Sequence, residues 1–226
     1  FKVGIRVGKP QVSYRESISK ISSAESTFRK EQGDKYQFGQ CKISVEPTDC
    51  QEGVVFESNI TKRDLPQEFI NSMEKSIKDT SLGGGLAGYA FINVKATLIS
   101  AQYNEVEANE VAYAISASNA FREACKNAEI RMMEPIMSLE IITPLEYTGD
   151  IISDINMKRG RILSMDAKQN KEILKAEAPL SELFGYSTDI RSKSQGRASF
   201  SMNFDRYDEL SMNLAKNMLE SRGIFI

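Results

Sequence analysis

The sequence predicts a two-domain α+β protein with one further helix at its end, and three observations carry that reading. Its second half runs strand, helix, strand, strand, helix, strand. Its first half mixes strand-like stretches with two amphipathic helices. One last amphipathic helix follows both halves.

In the first half, strand-like stretches fall near 1–7, 40–46, 54–59 and 90–99. Phe69, Ile70, Met73 and Ile77 recur at helical spacing after Pro66 and stop at Gly83-Gly84-Gly85, glycines that end a helix. A second helix begins near Asn109, with Val111, Ala114, Ile115, Phe121, Ala124 and Cys125 on its inner side. A boundary follows near residues 131–135.

In the second half, Met137, Leu139 and Ile141 alternate with polar residues as a half-buried strand. Thr148 is the expected N-cap of a helix that turns Ile151, Ile152 and Ile155 inward and closes at Gly160. Residues 161–165 and 172–178 read as two strands joined by a turn over 167–171. Pro179 opens the next helix, whose buried side carries Leu180, Leu183, Phe184 and Ile190. Ala198, Phe200, Met202 and Phe204 then alternate with polar residues as a strand with one wet face. This order is the split βαβ, ferredoxin-like arrangement: two helices over one face of a four-stranded antiparallel sheet. Some modules of that fold read RNA by stacking bases on sheet aromatics. The strand over 172–178 has no aromatic, which argues against such a reader. The last helix, roughly 209–221, carries Leu210, Leu214, Met218 and Leu219 on one face, and that face must pack on one of the two domains. The expected division is 1–131 and 132–207, with 208–226 as the closing helix.

Composition narrows the chemistry. The 226 residues are 41% hydrophobic and 27% charged, the balance of an ordinary globular protein. No apolar run reaches the roughly 20 residues of a membrane helix. The chain opens at Phe1 inside an alternating stretch, which reads as the interior of a longer protein. It contains no histidine, so His-based acid/base catalysis, Ser-His-Asp triads and His-ligated metals are excluded within it. Cys41, Cys50 and Cys125 lack C-x-x-C spacing and fall one ligand short of a zinc site. They fit a reducing, cytoplasmic compartment, each as a small buried hydrophobe. With a net charge of −2, bulk positive charge is not available to hold nucleic acid, so any RNA contact must come from local basic clusters.

Five stretches invite a functional reading. Gly4-Ile5-Arg6-Val7-Gly8-Lys9-Pro10 approaches a phosphate loop, but it is one residue short between the glycines and has Pro10 where a Mg²⁺-binding hydroxyl belongs. A glycine turn is the better account. Gly83-Gly84-Gly85-Leu86-Ala87-Gly88 lies between a helix and a strand instead of at a helix N-terminus, which favours a structural connection. Residues 101–110 form a polar loop that is either a simple connection or a contact surface. Lys158, Arg159 and Arg161, and Arg191, Lys193 and Arg197, cluster near helix ends. There they either complement the helix dipole or form a phosphate-contacting patch. An enzyme built on Glu105, Glu107 or Cys41 has no convergent site in the sequence.

A family resemblance runs through the chain in order. Gly8-Lys9-Pro10-Gln11-Val12-Ser13-Tyr14-Arg15-Glu16 resembles the opening of the fourth domain of elongation factor G. Glu134-Pro135-Ile136-Met137, Tyr147-Thr148-Gly149-Asp150, Lys158-Arg159-Gly160, Pro179-Leu180-Ser181-Glu182-Leu183-Phe184-Gly185-Tyr186-Ser187-Thr188, Arg191-Ser192 and Gly196-Arg197-Ala198 resemble its fifth. The resemblance implies the C-terminal part of a translational GTPase that moves tRNA and mRNA through the ribosome. GTP and Mg²⁺ then belong to an N-terminal domain, with no cofactor, metal or catalytic residue in this chain. It further implies a monomer with no membrane association. The first domain would carry a left-handed βαβ crossover, ribosomal-protein-like, and would reach the small-subunit decoding centre. The second would rest near the sarcin-ricin loop and stalk base of the large subunit, and the last helix would pack back on the first domain.

The same resemblance places decoding-centre tip loops at Gly33, Asp34, Lys35 and Gln37 and at Gln102, Tyr103, Asn104 and Glu105. Its ribosomal-RNA contacts fall on Lys158, Arg159, Arg191, Lys193 and Arg197. Both tip loops depart from the family pattern. The first keeps Gly33 and Gly39 but loses the glycines between them, and the second has Asn104 where the family carries a histidine associated with translocation. Asparagine hydrogen-bonds but cannot become cationic. The alternatives are therefore a divergent second copy specialised in ribosome recycling, or a ribosome-protection factor.

Overall fold

The computed structural model describes residues 11–32, 35–61 and 63–225. The strand expected over 1–7 and the glycine turn over 4–10 lie outside them. The described chain is mixed α+β and divides into two compact units. Of the described residues, one contains those within 15–133 and 209–225, the other those within 11–14 and 134–208.

The first unit is built on a four-stranded sheet in the order β2-β3-β5-β4, where β2 is Ser22–Gln32, β3 Lys35–Pro47, β4 Val54–Ser58 and β5 Val94–Gln102. β2, β3 and β5 are antiparallel neighbours, while β4 and β5 run parallel. A parallel pair needs a crossover, supplied by α1 (Gln67–Leu82). Helix α2 (Glu110–Asn127) packs beside α1 and over β2 and β3. Ile43, Val45, Val94, Ala96 and Leu98 from the sheet meet Met73, Ile77, Tyr113, Ala117 and Phe121 from the helices in one core. The short β1 (Arg15–Ile18) pairs with the opening of β6 (Ile130–Pro144), Arg15 opposite Met133 and Ile18 opposite Ile130.

Three sequence expectations shift here. The α2 core face is Ala112, Tyr113, Ser116, Ala117, Ala120, Phe121, Ala124 and Cys125, whereas Val111 is exposed. The helix is rich in alanine, so small residues blur the apolar stripe and its phase is read one position off. β1 and β2 were not expected as strands. Ser22-Ser23-Ala24-Glu25-Ser26-Thr27-Phe28-Arg29-Lys30-Glu31-Gln32 is nearly all polar, and its ladder with β3 decides its conformation. Cys50 is exposed, while Cys41 and Cys125 are buried as expected.

α5 (Met212–Glu220) belongs to this same unit. Leu210 and Leu219 are buried, and the Leu210 N–H donates to the Met132 carbonyl at 2.9 Å. Leu214 and Met218 are half-buried, so the helix is anchored at its two ends.

The second unit has strand order β9-β6-β8-β7, with β7 at Arg161–Lys168, β8 at Lys171–Pro179 and β9 at Ser199–Glu209. In chain order that is 4-1-3-2, the ferredoxin-like sheet. Helices α3 (Thr148–Met157) and α4 (Tyr186–Lys193) supply Ile151, Ile155, Tyr186 and Ile190, which pack on Leu139, Ile141, Leu174 and Ala176. Thr148 starts α3 as its first helical residue and makes no side-chain cap. Pro179 opens a 3₁₀ turn over Leu180–Glu182, and α4 begins only at Tyr186. That leaves Phe184 exposed, because Gly185 turns left-handed at φ 80° and breaks the helical phase there.

Candidate functional site

Two surfaces hold the candidate residues: the end of the first unit's sheet, and the helix ends of the second.

The first surface is one tip assembled from two chain segments. β2 and β3 pair along their whole length, out to Gln32 opposite Lys35. Gly33 and Asp34 lie outside the described residues. β5 stops at Gln102, opposite Gln40, and the chain then turns back to the N-terminus of α2. Asn104 fixes that turn. Its side-chain Oδ1 accepts from the Val106 N–H at 3.1 Å, and its backbone carbonyl accepts from Ala108 at 2.8 Å and Glu107 at 3.2 Å.

The loop is tied to the hairpin. The Phe38 N–H donates to the Glu107 carbonyl at 2.8 Å, and Arg29 Nη2 lies 3.5 Å from Glu107 Oε1. Asn109 then caps α2, its side chain accepting from Val111 and Ala112. Gly39 lets these parts approach: a Cβ there would sit 2.5 Å from the backbone of Ala112 and Tyr113.

Beneath the loop, Tyr113 is buried and donates to the Gln102 carbonyl. Its ring lies 5.0 Å from Phe69, which in turn meets Tyr103 at 6.0 Å. Tyr103 is thus propped on core aromatics with its outer side open, and Val106 is 92% exposed. Gln37, Gln102, Tyr103, Asn104 and Glu105 are thereby gathered at one end. Glu105 and Glu107 do not act as a carboxylate pair, since Glu107 is occupied by Arg29.

The second surface behaves differently from its sequence appearance. Most of its cations meet carboxylates within their own unit. Lys158 pairs with Asp189 at 2.7 Å, Lys193 with the buried Asp154 at 3.3 Å, and Arg197 with Glu146 at 2.6 Å. Arg159 forms a two-pronged pair with the buried Glu134, at 2.8 and 2.9 Å, and also reaches Glu182 and Ser181. The Glu134 bond chiefly raises the Arg159 pKa, and Asp189 raises that of Lys158. Arg159 is therefore a structural cation that ties the start of β6 to the turn after β8. Among the described residues Arg191 makes no ion pair and is exposed. Sequence spacing showed the cluster of positive charge but not the acids that fold against it.

A third feature concerns phosphate binding. The glycine-rich segment after α1 converges its backbone amides on one point, and a carboxylate of the chain already sits there. Glu16, fully buried, accepts from Gly85 (2.6 Å), Leu86 (2.9 Å), Ala87 (2.7 Å) and Tyr89 (3.1 Å). This nest is filled from within and does not fit a nucleotide phosphate. Among the described residues no group of three or more Cys, Asp or Glu side chains has the geometry of a metal site, and no helix is long and apolar enough to cross a membrane.

The class is a tandem of two α+β units, one with a parallel crossover and a two-loop tip, the other ferredoxin-like, with the last helix belonging to the first. Comparison with known proteins makes this specific. The elongation factor G domain IV family matches residues 10–129, and the elongation factor G C-terminus family matches residues 131–218. The chain belongs to the elongation factor G family. A solved structure from Thermus thermophilus is similar to it at 30% identity and a TM-score of 0.88, covering 96% of this chain. The chain spans about a third of that protein's length, 32%.

Proposed function

We propose that this chain is the ribosome-binding C-terminal part of a translation elongation factor that promotes GTP-dependent translocation of tRNA and mRNA in the cytoplasm. The observation that carries the reading is the match of both C-terminal elongation factor G domains, in order, over nearly the whole chain. GTP and Mg²⁺ are held by a part of the factor outside this chain, which performs no chemistry of its own. It acts as a monomeric reader of shape.

The tip at Gln37 and 102–105, with Gly33, Asp34 and Lys35 beyond it, enters the small-subunit decoding centre and meets tRNA and mRNA. It carries little positive charge, so its contribution is fit and hydrogen bonding. Asn104 spends its oxygen on the turn and keeps its amide N–H groups for a partner. The helix-end cations Lys158, Arg159, Arg191, Lys193 and Arg197 face the large subunit near the sarcin-ricin loop and stalk base. Of these, Arg191 has no competing carboxylate and carries the largest share.

Co-sedimentation of the chain with ribosomes tests the reading. Binding that weakens with salt is expected, and no binding at 50 mM salt overturns it. In the full-length factor, Asn104→Ala should leave binding near normal and slow translocation.

A further inference from the structure

We infer that the β7–β8 hairpin is a second polyanion-docking surface, at which Lys168, Lys171 and Lys175 grip the phosphate backbone of RNA. The inference rests on the reading that this chain binds ribosomes, and it adds a site away from the helix ends.

Among the described residues of this unit, every other cation except Arg191 is paired with an acid. Lys158, Arg159, Arg161, Lys193, Arg197 and Arg206 each lie within ion-pair distance of a carboxylate. Among the described residues, Lys168, Lys171 and Lys175 do not, and all three are exposed. Acids are nearby, for Glu140 stands opposite Lys175 and Asp166 opposite Ile173. Neither closes a pair with these lysines.

The ladder then sets the geometry. Lys168 stands directly opposite Lys171, and Ser164 opposite Lys175. Side chains alternate along a strand and agree across it. Lys168, Lys171 and Lys175 therefore share one face, opposite to that of Leu174 and Ala176, which pack against α3 and α4. The turn between them places Gln169 at φ 53°, a left-handed residue that closes the hairpin tightly and brings two ammonium groups to its end. Like charges directly opposite on a ladder oppose folding, so the arrangement costs stability unless an external anion relieves it.

The spacing selects the partner. Lys171 and Lys175 are four residues apart on one strand, about 13 Å at about 3.3 Å per residue. A single small anion cannot bridge that span, whereas a chain of phosphates can. No aromatic or planar guanidinium lies among these three, so the contact is with backbone charge and not with base identity.

The test uses the whole chain with Lys168, Lys171 and Lys175 changed together to Gln. A control changes Lys20, Lys78 and Lys216 to Gln, which removes the same charge from the other unit. Binding is measured against ribosomes and against protein-free ribosomal RNA from 50 to 200 mM salt. Each lost phosphate contact lowers the log–log salt slope by about 0.7–0.9. Over this range the wild type and the control should therefore lose about 7- to 40-fold more affinity than the hairpin variant, for two to three contacts. Equal slopes in all three proteins overturn the inference while leaving ribosome binding intact. A difference seen with ribosomes but absent with protein-free RNA assigns the lysines to an acidic protein and also overturns it. Failure of the wild type to bind at all removes the functional reading and this inference with it.

Discussion

Glu16 shows what a single buried charge does in this protein. It sits on β1 with no exposed surface, and four amides of the loop after α1 point at its two oxygens. Hydrogen bonds to a charged group contribute about 1.5–3 kcal/mol each, and they do not add fully. Glu16→Ala should therefore cost at least about 3 kcal/mol, through amides left buried and unpaired. Glu16→Gln should recover part of that, because its oxygen still accepts while its amide nitrogen opposes the remaining donors. Urea unfolding of both variants checks the order, and a neutral Glu16→Ala would remove the nest from the account. Gly39 is the second such residue. A methyl there meets backbone atoms at 2.5 Å, so Gly39→Ala should cost about 1–3 kcal/mol by overpacking. The same change should loosen the join between hairpin and loop, seen as faster amide exchange at Phe38. The sequence marked Gly39 as retained by resemblance but offered no reason for it. The reason is an approach between segments some seventy residues apart, which no local pattern encodes.

At the scale of elements, legibility followed the strength of the pattern. α1 was readable to its ends because Phe69, Ile70, Met73 and Ile77 are large and regularly spaced, and all are buried. The four strands and two helices of the second unit were readable in type and order for the same reason. β2 was not, since its polar residues gain their conformation from β3. α5 was readable in its apolar face: of the four residues expected there, Leu210 and Leu219 are buried, while Leu214 and Met218 are only half-buried. Full burial of each leucine is worth about 1.5–3 kcal/mol. Removing the residues after Asp208 should thus destabilise the unit of residues 15–133 by roughly 3–6 kcal/mol by the same measure. Hydrogen exchange should accelerate across α1, α2 and β3 and leave α3 and β8 unchanged. The reverse pattern would detach α5 from the first unit.

For the whole molecule, the family and its architecture were legible because tandem motifs run the length of the chain, whereas the chemical state of its surface was not. Whether a lysine is paired depends on acids brought near by folding, as Asp154 is for Lys193 and Glu134 for Arg159. The absence of histidine has its own whole-molecule consequence: the groups that titrate between acid and neutral pH in most proteins are missing, and the alkaline limb is set elsewhere. Burial pushes the Cys41 thiol from 9.0 up to about 11, and the Cys125 thiol from 9.0 up to about 12. Burial also raises the Tyr113 hydroxyl from 10.0 to about 12. All three lie in the core of the unit of residues 15–133. Each is neutral when protonated, and its pKa is higher folded than unfolded. At pH 10 the unfolded chain has therefore released protons that the folded chain still holds, and stability falls as pH rises. The loss should begin near pH 9, where unfolded thiols ionise, and reach about 1.4 kcal/mol per pH unit for each cysteine up to its folded pKa. Urea midpoints measured from pH 7 to 11 should be flat below pH 8.5 and then decline. In Cys41→Ala and Cys125→Ala the decline should be shallower by about one proton each, whatever the substitution does to stability at neutral pH. An unchanged slope in both variants would place the alkaline sensitivity outside this core.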